Sequence, residues 1–77
     1  MIVKVKLHGI LSDLAGKKEL QVENIRDLNG LRGVLSKEYS ILSKYLFRIA
    51  VNNMLANENI PIKEGDCIDL IPPFPGG

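Results

Sequence analysis

Between residues 2 and 8 apolar and polar side chains take turns: Val3, Val5 and Leu7 fall on one parity, Lys4, Lys6 and His8 on the other. An extended backbone sends successive side chains to opposite faces, so this stretch reads as a strand with one face in a core and one in water. A second alternation spans Lys18 to Glu23, where Leu20 and Val22 match the buried parity of the first. The two are expected to pair as an antiparallel hairpin. Between them, Gly9 to Gly16 breaks the period. Leu11 and Leu14 sit one turn apart, Ser12 and Asp13 are turn formers, and Gly16 can supply a positive φ to end a short helical turn.

The period then changes. Asp27 can cap a helix in which Leu28, Leu31, Val34 and Leu35 recur at helical spacing, with Lys37 near the C-terminal turn, where the helix dipole favours a cation. Gly30 and Gly33 each weaken such a helix by about 1 kcal/mol relative to Ala, so packing of the leucine face must hold it. Both glycines read as tolerated costs. From Ser40 to Tyr45 the pattern fits a prolonged helix as well as a packed connection. Leu46 to Val51 is strand-like, with Ile49 and Val51 as its core pair, and Asn52-Asn53 turns the chain into a short strand at Met54-Leu55-Ala56. Asn57 to Asn59 reads as loop, and Ile60-Pro61-Ile62 leads to a turn at Lys63-Glu64-Gly65-Asp66. Cys67 to Ile71 forms the last strand, with Ile68 and Leu70 on one face and Cys67, Asp69 and Ile71 on the other. Pro72 has no N–H to donate and ends the sheet. This order of elements predicts an α+β fold, a small mixed sheet with one main helix packed on one face. Residues 1–71 are expected to form the domain and residues 72–77 an extended tail.

Seventy-seven residues leave little room for an enclosed catalytic pocket. Any chemistry is therefore expected to be shared with a partner. A net charge of +1, with acidic and basic residues interspersed and no basic run with interleaved aromatics, argues against a nucleic-acid binder. No stretch approaches the roughly 20 apolar residues of a membrane span, and the alternating start is unlike a signal peptide, so a cytoplasmic protein without membrane contact is expected. Cys67 is the only cysteine and His8 the only histidine, which leaves no internal disulfide and no metal cage to expect. Cys67 reads as structural or incidental and not as a nucleophile, and His8 as a solvent or interface residue.

The ending Pro72-Pro73-Phe74-Pro75-Gly76-Gly77 has a different character. Two prolines stiffen the exit from the last strand, Phe74 offers one large apolar contact, and the Gly pair places the terminal carboxylate on backbone without Cβ atoms. Six extended residues reach roughly 20 Å, far enough to carry a carboxyl group into a partner's buried centre. Gly-Gly is also what a frayed end carries, but at the usual Gly frequency a terminal pair arises by chance in only about one chain in 200.

The segments Gly9-Ile10-Leu11-Ser12-Asp13-Leu14-Ala15-Gly16, Asp27-Leu28, Ala50-Val51-Asn52 and Glu64-Gly65-Asp66, with the ending, resemble in order and spacing the small subunit of molybdopterin synthase, the MoaD-type sulfur carrier of the MoaD/ThiS family. The resemblance covers essentially the whole chain and implies a ubiquitin-like β-grasp fold. It implies that Gly77 is the reacting residue: its carboxylate is adenylated with ATP on an E1-like activating enzyme and converted to a thiocarboxylate with sulfur from a sulfurtransferase. That sulfur is then donated, in complex with the synthase large subunit, to a pterin precursor of the molybdenum cofactor. The carrier would hold no cofactor or metal of its own and would not be an enzyme by itself. Gly76 would give the tail clearance, and Phe74, Pro73, Pro75, Ile71 and Leu55 would meet partners. Phe74 stands where the family usually has Val, and Pro75 where it usually has a small flexible residue. Lys6 and His8 stand at outward positions often apolar in the family, which implies a more polar partner surface. Thiamine-pathway or tRNA-thiolation carriers, ubiquitin-like modifiers that form isopeptide bonds, and a passive interaction module are the alternatives.

Overall fold

The computed structural model describes residues 2–73. Its elements in chain order are β1 (Ile2–Leu7), α1 (Ile10–Ala15), β2 (Glu19–Glu23), α2 (Leu28–Glu38), α3 (Ser40–Ser43), β3 (Arg48–Val51), β4 (Met54–Leu55) and β5 (Cys67–Ile71). The strands form one mixed sheet in the order β2-β1-β5-β3-β4. β1 pairs antiparallel with β2, placing Val3 opposite Val22 and Val5 opposite Leu20, the pairing that the shared parity predicts. On its other side β1 runs parallel to β5, with Val5 opposite Ile68 and Leu7 opposite Leu70. β5 also pairs antiparallel with β3.

One face of this sheet is dry. Val3, Val5, Leu7, Leu20, Val22, Ile49, Val51, Ile68 and Leu70 meet Leu28, Leu31 and Leu35 of α2, Leu11 of α1 and Leu42 of α3 in a single core. No polar or charged residue is buried among the described residues. Both glycines of α2 sit in its interior, but they differ. A Cβ on Gly33 would meet nothing within 4 Å, whereas one on Gly30 would lie 3.3 Å from Asp27 Oδ1 and 3.7 Å from Ile25. Gly33 is the tolerated cost the sequence suggests; Gly30 also leaves room for the cap.

That cap is Asp27, whose Oδ1 accepts the Gly30 N–H at 2.8 Å. Asn59 reinforces it from the distant loop, accepting the Asn29 N–H at 2.9 Å and donating to Asp27 Oδ2 at 3.3 Å. The Leu28 N–H donates to the Ile60 carbonyl and the Ile62 N–H to the Arg26 carbonyl, so residues 59–62 are tied to the start of α2 and Ile62 enters the core. Asp27 has a lowered pKa, chiefly through the Gly30 hydrogen bond and then through Asn59. A carboxylate whose folded pKa is depressed stabilises the fold above its unfolded value and ceases to do so as pH falls through the folded one. Asp27→Asn is therefore expected to melt at a lower temperature than the native chain at neutral pH. The gap should close as pH drops from 3.8 past the depressed value. Paired thermal melts across that range check it, and a gap constant with pH would refute it.

The strand expected from Leu46 begins at Arg48 instead, and Leu46 is 81% exposed. The Ser40–Tyr45 stretch resolves into the short helix α3, which buries Leu42. The two-residue turn between β3 and β4 puts Asn52 at φ 51° and Asn53 at φ 68°, the left-handed pair that twists correctly into a tight hairpin. Asn52 also fastens the start of β5: its N–H donates to the Cys67 carbonyl at 2.7 Å, and its Oδ1 accepts the Cys67 N–H at 3.0 Å.

Candidate functional site

The helices cover one face of the sheet, and the described candidates Leu55, Ile71 and Pro73 lie on the other or at its end. On β5, Cys67 is exposed and Asp69 and Ile71 are half-buried, all facing away from the core. Across the strands, Lys6 and Ala50 flank Asp69, and Leu55 lies beyond Ala50. Ile71 is opposite Arg48. Ala50 is only 5% exposed although it sits outside the core, so the middle of this face is a shallow floor between longer side chains.

Ile71, Pro72 and Pro73 are all half-buried where β5 leaves the sheet. Leu55 is 52% exposed on the same face, but β4 is two strands from β5, roughly 10 Å away laterally. Ala50 and Arg48 lie between, so Leu55 and Ile71 do not form one apolar patch. Phe74, Pro75, Gly76 and Gly77 lie outside the described residues.

The sequence did not point to the partner of His8. Its Nε2 lies 2.7 Å from Asp69 Oδ1, joining residues 61 apart in the chain; the His8 side chain is 49% exposed and that of Asp69 17%. The link follows from the parallel register of β1 and β5, which continues one residue past β1 as the His8 N–H donates to the Leu70 carbonyl at 3.1 Å. Charge alternation alone carries no signal for it, because the pairing of first and last strands is a tertiary fact.

A groove of about 610 Å³ runs beside β4, at the opposite end of β3 from Ile71. Met54, Leu55, Ile60 and Lys63 line it, with Asp66 at its edge. Asp66 accepts from the Lys63 N–H at 2.7 Å and from Asn52 Nδ2 at 3.1 Å, and these bonds, the first above all, lower its pKa. It is a turn-holding carboxylate and not a poised acid. Among the described residues no group of three or more His, Cys, Asp or Glu is placed to hold a metal ion, and no helix is long and apolar enough to cross a membrane. What the arrangement offers chemically is a rigid platform from which the chain departs as Pro72-Pro73.

The model of the ThiS family matches residues 5–77. The chain belongs to the ThiS family. Over the whole of both chains this ThiS-family protein is 34% identical, with a TM-score of 0.76, to a chain of the complex of subunits 1 and 2 of molybdopterin-converting factor from Helicobacter pylori 26695. It is also similar to SAMP1 from Haloferax volcanii, with a TM-score of 0.83 at 21% identity over all of both chains. A third similar structure is the putative molybdopterin converting factor subunit 1 from Pyrococcus furiosus, with a TM-score of 0.82 at 24% identity, covering 96% of this chain and 99% of that one. At those lower identities the likeness is one of fold, and the fold is the ubiquitin-like β-grasp. Among curated proteins none matches the chain. ThiS/MoaD-type chains are ubiquitin-like sulfur carriers, and this member has the tail-bearing sheet described above.

Proposed function

We propose that the chain is the sulfur-carrying small subunit of a molybdopterin synthase, working in the cytoplasm with a catalytic large subunit. The observation that carries this reading is the 34% identity, over the full length of both chains, to a chain of the Helicobacter pylori complex of subunits 1 and 2 of molybdopterin-converting factor.

A carboxylate is a poor acyl donor, so it must first be activated. A Gly77 carboxylate oxygen attacks the α-phosphorus of ATP on an E1-like adenylating enzyme, pyrophosphate leaves, and an acyl adenylate forms. The terminal sulfur of a sulfurtransferase persulfide adds to the carbonyl carbon and the bond to AMP breaks; a thiol then cleaves the resulting acyl disulfide, is itself oxidised to a disulfide with the sulfurtransferase, and leaves Gly77 carrying a thiocarboxylate. In the complex with the large subunit, that sulfur replaces an oxygen substituent on carbon of the cyclic pterin precursor, the C–O bond breaking as the C–S bond forms, and water cleaves the acyl–sulfur bond to return the carboxylate. Burial of the tail keeps water from hydrolysing the thiocarboxylate early. Gly77 reacts, Gly76 provides clearance, and Phe74, Pro73, Pro75, Ile71 and Leu55 contact partners. ATP is bound by the activating enzyme and not by the carrier.

Incubating the full chain with its activating enzyme, ATP and a sulfide source should produce a species in which one oxygen is replaced by sulfur, read by intact-mass measurement. Adding the large subunit and pterin precursor should return the original mass and yield molybdopterin. The family match itself favours a second reading, a carrier for the thiamine pathway. A thiocarboxylate that forms but is not discharged by the large subunit would support that reading over ours. Conjugates of higher mass on lysines would instead mark a protein modifier.

A further inference from the structure

Three consecutive features fasten the turn after β1 to the end of β5. The His8 side chain meets Asp69 at 2.7 Å, and the His8 N–H donates to the Leu70 carbonyl at 3.1 Å. The third is Gly9, whose φ of 55° and ψ of −133° suit glycine and strain other residues. A Cβ built on Gly9 would lie 3.1 Å from Pro72 Cγ and 3.9 Å from its Cδ. The space a side chain would need is bordered by the proline ring. Gly9 is itself held, since its carbonyl accepts the Ser12 N–H at 3.2 Å and the Leu11 N–H donates to the His8 carbonyl at 3.1 Å.

On the other edge, β3 follows β5 as far as Ile71. β5 is therefore gripped from both sides as far as Leu70 and by β3 as far as Ile71, and Gly9 abuts Pro72. Beyond that point a direction is passed on stiffly. Proline fixes its own φ near −65° and pushes the residue before it into extended backbone, so in Pro72-Pro73 each ring restricts its neighbour.

We propose that Gly9 is a positioning residue for the acyl terminus, setting the direction in which the tail leaves β5 through its contact with the Pro72 ring. This rests on the carrier reading above. Gly9 touches no reacting atom; it acts through Pro72. A side chain there displaces the ring and swings the tail, so the domain still docks on the activating enzyme but its carboxylate reaches the α-phosphate poorly. Misplacement of a reacting group by about 1 Å can cost up to about 100-fold in rate.

The test uses the full chain, its cognate activating enzyme and ATP, with adenylation followed by pyrophosphate exchange and carrier stability by thermal melts. Gly9→Ala should lower kcat about tenfold and change KM for the carrier less than about twofold, a split that loss of a docking contact does not produce. Pro72→Ala, which keeps the Gly9 backbone and removes the ring, should lower kcat about threefold, again at constant KM. In the Pro72→Ala background the Gly9→Ala change should cost clearly less than its roughly tenfold in the native chain, because the ring is gone and only the backbone strain of a side chain at φ 55° remains. An unchanged kcat for Gly9→Ala, a rise in KM in its place, or multiplicative effects in the double variant would overturn the inference. If Gly9→Ala does not fold, Pro72→Ala decides: a native kcat overturns it. A native chain that supports no exchange at all sinks the carrier reading and this inference with it, whereas a competent native chain with unaffected variants sinks the inference alone.

Discussion

Adding one residue after Gly77, or replacing Gly76 with valine, is expected to abolish adenylation while leaving the melting curve of the domain where it was. The sheet ends at Ile71 and the core draws on nothing beyond Leu70, so neither change removes a packed contact of the described fold. The reaction has the opposite sensitivity. The attacking carboxylate must come within about 3 to 3.5 Å of the α-phosphorus in a channel narrow enough to exclude water. An added residue moves the carboxylate along by about 3.3 to 3.6 Å, the whole attack distance. A valine at position 76 adds a branched side chain where the proposed passage has room for none. Pyrophosphate exchange should fall by more than about 100-fold in either variant. Normal exchange by the extended chain would remove the role assigned to Gly77.

The largest expected effect on stability comes from Ile68→Ala. Ile68 is fully buried, it lies between Val5 of β1 and Val51 of β3, and its strand occupies the middle of the sheet. Deleting three carbons from such a site costs about 2 to 5 kcal/mol, the lost transfer energy plus the cavity left behind. For a domain this small that is a large share of total stability. The urea midpoint should fall by more than about 1 M. Cys67→Ser, one residue away but exposed, should stay within about 0.5 kcal/mol of the native chain. Equal shifts for the two would mean that β5 is not the internal strand described.

Much of this was legible because burial writes itself into local periodicity. Val3, Val5 and Leu7, Leu20 and Val22, and Ile68 and Leu70 announce both their strands and the buried parity, and Asp27 announces the start of α2. The α+β layering follows from those signals. What was not legible depends on which strands end up as neighbours. Nothing local in residues 2–8 says that β1 runs parallel to β5, and so nothing predicts that His8 meets Asp69 or that Gly9 abuts Pro72. Gly9 read only as the start of the stretch that breaks the period, and its approach to Pro72 across the fold has no sequence signature. α3 was unreadable because Ile41, Leu42 and Leu46 are all apolar, yet only Leu42 reaches the core. Asn59 looked like loop filler, and its role at the cap of α2 appears only once residues 59–62 are tied back to the helix. The proposed reacting end stands out for a different reason: Gly76-Gly77 is conspicuous as composition, whatever the fold before it.

The parallel pairing of first and last strands has a bearing on biosynthesis. During translation, the β1–β2 and β3–β4 hairpins can form early, but they share no edge until β5 is inserted between them. A nascent chain still holding its final strand in the ribosome tunnel has its two hairpins unjoined. Completion of the sheet must wait until β5 has cleared the tunnel, and nonlocal closure of this kind is among the slower steps a small domain can require. A product truncated before β5 thus lacks the one strand that joins its two hairpins into a single sheet.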